Sequence, residues 1–237
     1  MKSNTMVKVG GLALVFGAVA FIAVFSYLAA NFEYPEILDG TAATVLPKLL
    51  ATGSSGRMAW AIYAFLPLIW LPAGVGAYIA LRRHNRGVML LALQFAALAT
   101  ISMMLGLMRW PSIHWHLAQF YATANADQQA LISALFAGLN TYLGNYIGEF
   151  LGELSVSVFF LLSSLTLWKS RAAPRWVGGI GLVTAVAGLL GMFRNVTTAV
   201  APIAEVNNYL LPLWMIIFGV ALFRVRQHHH ELEPEAI

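Results

Sequence analysis

Residues 141–157 read TYLGNYIGEFLGELSVS, and this stretch decides how the chain must fold. Thr141, Asn145, Glu149, Glu153 and Ser157 recur every fourth position, which on a helix stacks them along one ridge. Gly144, Gly148 and Gly152 make a second ridge beside it, the small-xxx-small spacing that lets another helix come close. The stretch runs directly into apolar chain, so the polar ridge enters a membrane span. A carboxylate within hydrocarbon costs about 2.5–3.5 kcal/mol even on a lenient insertion scale. Glu153 therefore requires a partner or a wet pocket, and the rest of the chain must supply it.

The rest of the chain has the composition of a membrane protein. It is 59% hydrophobic and 10% charged over 237 residues, against roughly 45–50% and about 25% in soluble domains. Six runs are long enough to cross a bilayer, which takes about 20 apolar residues: 9–30, 58–81, 88–108, 146–168, 176–198 and 207–223. The first is longer in apolar core than a signal peptide's and reads as a retained span. An amphipathic lead-in from Asp127 extends the fourth helix beyond the membrane. With no cysteine, disulfides and thiolate chemistry are excluded.

The net charge of +4 does not point to nucleic acid, because the basic residues sit in short loops between apolar runs. Lys2, Lys8, Arg82, Arg83, Arg86, Lys169, Arg171, Arg175, Arg224 and Arg226 fall on one side. Only Lys48, Arg57, Arg109 and Arg194 fall on the other. The positive-inside rule then predicts both termini in the cytoplasm. We expect one six-helix transmembrane domain over 1–226 and a mobile cytoplasmic tail over 227–237, with no internal repeat of the kind many transporters show. The longest connection, Asn31 to Arg57, lies outside. Within it, Thr41–Ala51 reads as a short helix on the membrane surface, with Val45, Leu46, Leu49 and Leu50 facing down, as an ordered loop covering the bundle, or as a ligand lid. Pro67 and Pro72 are expected to bend the second span, and Pro111 follows the third. Gly178, Gly179, Gly181, Gly188 and Gly191 predict tight packing of the fifth.

Counting about 1.5 Å per residue from the cytoplasmic end of each span places Arg109, Glu149, Glu153, Arg194 and Glu205 about 24–31 Å along their helices. Four helices thus bring charge to one layer near the outer surface, where two arginines and three glutamates nearly cancel. That balance predicts a paired network, to which Asn145, Asn195, Asn207 and Gln119 add hydrogen bonds if they face inward. The competing reading is that these charges mark the membrane–water interface. His114 and His116 follow Arg109-Trp110-Pro111, and as i and i+2 on a helix they point about 200° apart, so they share a metal only if the segment is extended or kinked. No spacing matches a zinc helix motif, and no metal is assigned. His228-His229-His230 reads as solvated tail. Ser155, Ser157, Ser163 and Ser164 are expected to bond backbone carbonyls or neighbouring helices.

Three segments resemble a known family. Asn31-Phe32-Glu33-Tyr34-Pro35-Glu36-Ile37-Leu38, Gly106-Leu107-Met108-Arg109-Trp110 and Gly148-Glu149-Phe150-Leu151-Gly152 look like the bacterial membrane family known as domain of unknown function 4386. The resemblance runs over nearly the whole chain. It implies a six-helix membrane protein and carries Arg109 and Glu149 as motif positions without a role. Pro111–Leu117 departs from the apolar stretch expected there.

Together these readings predict an all-α, six-helix bundle with both termini inside, in the inner (cytoplasmic) membrane, and with the lipid bilayer as its medium. The expected function is binding. Arg109, His114, His116, Asn145, Glu149, Glu153, Arg194 and Glu205 would line a polar outer-leaflet cavity for a small or lipid-like ligand, or for a partner membrane subunit, in a sensing, accessory or transport role. The alternative is an intramembrane enzyme using a buried Glu/His acid–base pair or a metal site. No cofactor is identified.

Overall fold

The computed structural model describes residues 3–225. Lys2, Arg226, His228–His230 and the 227–237 tail lie outside the described residues. Among the described residues, seven helices make up the fold: α1 Ser3–Phe32, the short α2 Ala42–Ala51, α3 Gly53–Leu81, α4 Arg86–Tyr121, α5 Ala126–Ser170, α6 Arg175–Asn195 and α7 Thr198–Arg224. All but α2 are long and apolar enough to span a membrane.

Local chemistry sets several of the boundaries. The Asn85 side chain accepts from the Val88 amide to start α4. Asn125 and Gln128 form a reciprocal capping box at the start of α5, each side chain accepting the other's backbone N–H at 3.0 Å. Arg171 ends α5 in the left-handed conformation, and Pro174 precedes α6.

The six long helices form a closed ring in chain order. Each packs on the next, and α7 returns to α1. Trp70, Val156, Phe159, Phe160, Trp214 and Phe218 fill the ring, while Phe16, Val19, Ile101, Leu105, Val183 and Val186 remain exposed as the lipid-facing surface. Glycines set the closest approaches. A Cβ on Gly10 or Gly76 would meet the other's α-carbon at 2.8 and 2.9 Å, joining α1 to α3. On the next face of α1, a Cβ on Gly11 would stand 2.7 Å from the Gly219 carbonyl oxygen of α7.

One end of the bundle carries the turns with Arg82–Arg86 and Lys169–Arg175, here the basic end. The other carries a second core, the cap. In it, Leu28, Phe32, Ile37, Val45, Leu46, Leu49, Trp60, Trp110, Trp115 and Phe136 bury one another. Trp60 and Trp110 stack at 4.8 Å, and Phe32 meets both edge-on at 5.7 and 5.5 Å. The face of α2 made by Val45, Leu46 and Leu49 is fully buried in this core. The surface-helix alternative for Thr41–Ala51 is therefore corrected, since the amphipathic face is satisfied by protein and not by lipid.

The third span also runs further than its apolar run. Pro111 does not end it; the turn widens to π geometry over Trp110–His114, with the His114 amide donating to the Arg109 carbonyl at 2.8 Å, and the helix continues to Tyr121. At 36 and 45 residues, α4 and α5 exceed the roughly 20 residues that a bilayer requires. Both overhang at the cap end and meet at the turn before α5. The lead-in at Asp127 is the first turn of α5, so the fourth span is extended as the sequence predicts, and its overhang packs beside that of α4. In α3, Pro67 lies in a 3-10 turn, Leu66–Ile69, whose Pro67 carbonyl accepts from Thr100 of α4 at 3.2 Å. Helix resumes through Pro72.

Candidate functional site

The glycine ridge faces α4. A Cβ on Gly148 would lie 2.8 Å from the Gly106 α-carbon, and one on Gly152 would lie 2.8 Å from Met103 Cγ. The Gly144 position is taken by the Arg109 guanidinium, whose Nε stands 2.9 Å from where a Cβ would be. Because α4 occupies this ridge, the neighbouring polar ridge turns towards α6. From Asn140 to Leu151 the helix is π-wound, so its hydrogen bonds run i to i+5 and residues four and five apart share a face. Thr141 is left exposed by this winding, while Asn145, Glu149 and Glu153 are half-buried.

Arg194, near the end of α6, joins the two acids. Its Nη1 donates to Glu153 Oε1 at 2.6 Å, and its Nη2 lies 3.1 Å from Glu149 Oε2. Asn195 Nδ2 donates to the same Glu149 oxygen at 2.8 Å and to the Asn145 backbone carbonyl at 3.2 Å. Two carboxyl groups thus share one guanidinium, a formal charge of −1 when both are ionised. Glu153 Oε2 is buried and has no hydrogen-bond partner among the described residues. The side chains of Glu149, Glu153 and Arg194 nevertheless remain 26%, 19% and 28% exposed. Phe150 and Phe193 meet edge-on beside the cluster at 5.3 Å, and Tyr146 lies on the exposed side of Phe150.

The other sequence candidates lie apart from this cluster. Arg109 is buried and makes no carboxylate pair among the described residues. Its Nε donates to Asn140 Oδ1 at 3.1 Å, its Nη1 donates to the Gly106 carbonyl, and its guanidinium lies 4.9 Å from the Trp110 ring centre. Asn140 in turn donates to the Leu38 carbonyl at 3.2 Å, so Arg109 ties α4 and α5 to the connection before α2. The expected single network is corrected accordingly: a peptide carbonyl, an amide and an indole face satisfy Arg109, and Glu205 is exposed on α7. His114 is fully buried between Trp110 and Phe136, with neither ring nitrogen hydrogen-bonded among the described residues, whereas His116 is exposed. No hydrogen bond joins His114 to a glutamate, and no group of three potential metal ligands forms among the described residues.

Sequence reading passed over Asn140, which stands one residue before the polar ridge and gave no separate signal. It also passed over the contact of Arg57 with α4: Nε donates to the Pro111 carbonyl at 3.0 Å, and the guanidinium lies 5.2 Å from the Trp115 ring centre. Shallow, open surface concavities lie elsewhere, at Arg171–Arg175 and on the apolar face of α6 around Leu182–Leu190.

A closed ring of six apolar spans with an ion-paired cluster between two of them defines a multi-pass helical membrane protein. Residues 9–223 match the family described as Domain of unknown function (DUF4386), and the chain belongs to it. No curated protein and no solved structure matches the chain.

Proposed function

We propose that this is a binding protein of the inner membrane. In this reading its cap faces outward, and the Glu149–Glu153–Arg194–Asn195 cluster receives a small or lipid-like ligand in a sensing, accessory or transport role. The observation that carries the proposal is the unequal pairing of the cluster: two half-buried carboxylates for one guanidinium, with Glu153 Oε2 unbonded. Such a group near hydrocarbon is costly unless something polar covers it. Its charge favours a ligand that offers an ammonium or another strong hydrogen-bond donor. The aromatic pair Phe150–Phe193 supplies an apolar flank for the rest of such a molecule. A partner membrane subunit presenting a basic side chain is the other occupant that fits the same chemistry.

Extraction of the full chain with its surrounding bilayer in polymer discs, followed by native mass spectrometry, tests this. Wild type should retain an amine-bearing lipid or a partner subunit above its abundance in the membrane, and Glu153→Leu should lose it. Identical co-purified species from both proteins would overturn the proposal. Orientation is tested separately by labelling Gly40→Cys and His230→Cys from outside whole cells. Reaction at 40 alone is expected, and reaction at 230 alone would reverse the assignment.

A further inference from the structure

A span surrounded by lipid turns apolar side chains outward, and one position of the bundle breaks this rule. Gln94 of α4 is exposed, and its side chain makes no hydrogen bond among the described residues. It lies eight residues from Arg86 towards the cap, about 12 Å of helix, within a hydrocarbon core roughly 30 Å thick. At comparable depth the exposed side chains of other spans are apolar: Leu12 of α1, Leu71 of α3, Val183 of α6 and Leu213 of α7. The stripe around Gln94 on its own helix is apolar too, since Leu91, Leu98, Ile101 and Leu105 are exposed with it.

Lipid does not answer that amide. A primary amide carries two N–H donors and a carbonyl acceptor, and acyl chains offer a partner to none of them. Glutamine also lacks the reach of the lysine and arginine stems that snorkel to the interface. The residues around it form a seam that another helix fits. Leu91, Gln94, Leu98, Ile101 and Leu105 follow one another at alternating steps of three and four, the spacing at which two helices pack side by side at a shallow left-handed crossing. That spacing alone would suit lipid equally well. The amide does not, and in a membrane a polar side chain on such a face draws helices together.

We propose that α4 packs against α4 of a second copy of this chain, about a two-fold axis along the membrane normal, with the two Gln94 amides hydrogen-bonded to each other. Copies inserted in the same direction meet only at equal depth. A two-fold contact therefore sets each amide opposite its own counterpart, where each gives an N–H to the other's carbonyl. Asn208 offers no alternative partner. It is exposed on α7, across the ring from α4, but it stands sixteen residues from Arg224 at the basic end, about 24 Å of helix. A copy turned to offer Asn208 to Gln94 would miss it by about 12 Å, so a head-to-tail row of copies does not satisfy the amide. The ion-paired cluster lies between α5 and α6, and the α4 contact stands whatever that cluster binds.

Because the native chain has no cysteine, single thiols placed on the outward faces report which faces meet. In native membranes treated with a lipid-soluble oxidant, Leu98→Cys should give at least about fivefold more covalent dimer than Leu12→Cys or Val183→Cys. Adding Gln94→Leu to Leu98→Cys should lower that yield about fivefold, in line with the modest strength of interhelical hydrogen bonds in lipid. Equal yields at all three positions would overturn the α4 contact. A Leu98→Cys yield untouched by Gln94→Leu would overturn the amide pairing. Native mass spectrometry of the full chain in polymer discs gives a reading that needs no thiol. Wild type should carry two chains and Gln94→Leu mostly one. A single chain from wild type, or one chain bound to a different protein, refutes the second copy.

Discussion

The cap and the α5–α6–α7 seam solve the packing problem in opposite ways. The cap is built from the largest side chains available, with Trp60, Trp110 and Phe32 in mutual ring contact and α2 pressed into them. The seam is built from small residues, with Gly188 and Gly181 of α6 seated against Ser157 and Ser164 of α5. Large rings exclude water and bury area. Glycine contacts bring backbones together but give little area, and in lipid that closeness is what holds helices. The cap should therefore fail when emptied, and the glycine contacts should fail when filled.

The sharpest test on the cap side is Trp110→Ala, which removes a ring stacked on Trp60 and in contact with His114 and Arg109. A loss of about 3–5 kcal/mol is expected, as for other buried aromatic truncations, read by thermal unfolding in detergent. On the glycine side, Gly148→Leu places a side chain against the Gly106 backbone and should cost about 3 kcal/mol. Leu151→Ala, at a half-buried position on the same helix, should cost less. If Gly148→Leu melts like wild type, the α4–α5 crossing is not held by backbone proximity.

Between those two regions lies the ion-paired cluster, where Glu153→Leu should cost about 2 kcal/mol. This is below the value for a fully buried pair, because Arg194 keeps Glu149 and is partly exposed. Glu149→Gln should be milder, under about 1 kcal/mol, since the amide oxygen still accepts from Asn195. A larger loss from Glu149→Gln than from Glu153→Leu would mean that the outer contact, not the inner one, holds α6 to α5. The smallest effect is expected at Lys48→Ala, which breaks an ion pair to the exposed Glu33 and should shift stability by less than about 0.5 kcal/mol.

How far the sequence disclosed this architecture depended on whether a feature was set by one helix or by two. Span number, the glycine ridge and the inward ridge with Glu153 follow from composition and periodicity, which are properties of a single helix. Depth counting puts Arg109, Glu149, Glu153, Arg194 and Glu205 at one level, but it carries no information about azimuth. That is why it groups Arg109 and Glu205 with a cluster they do not touch. Pro111, with His114 and His116 beyond it, reads as the end of a span because a π turn that absorbs a proline has no hydropathy signature. The amphipathic face of α2 would suit lipid or protein equally. Gln94 reads as one more residue of an apolar span, and only the placement of the neighbouring helices shows that its amide faces outward.

The glycine contacts at the two sides of α1 bear on how the chain is made. Gly10 meets α3 and Gly11 meets α7, so α1 draws its close packing from a helix near it in sequence and from one nearly 200 residues away. Until α7 is inserted, the ring has a gap and the glycine face of α1 lies against lipid, which gains nothing from it. The ring is therefore closed by α7, whatever order the other helices follow. A chain stopped after Asn195 should leave a cysteine at Gly11 unprotected from a lipid-soluble thiol reagent, whereas the full chain should shield it. Equal labelling of both would show that α1 finds its place without its last neighbour.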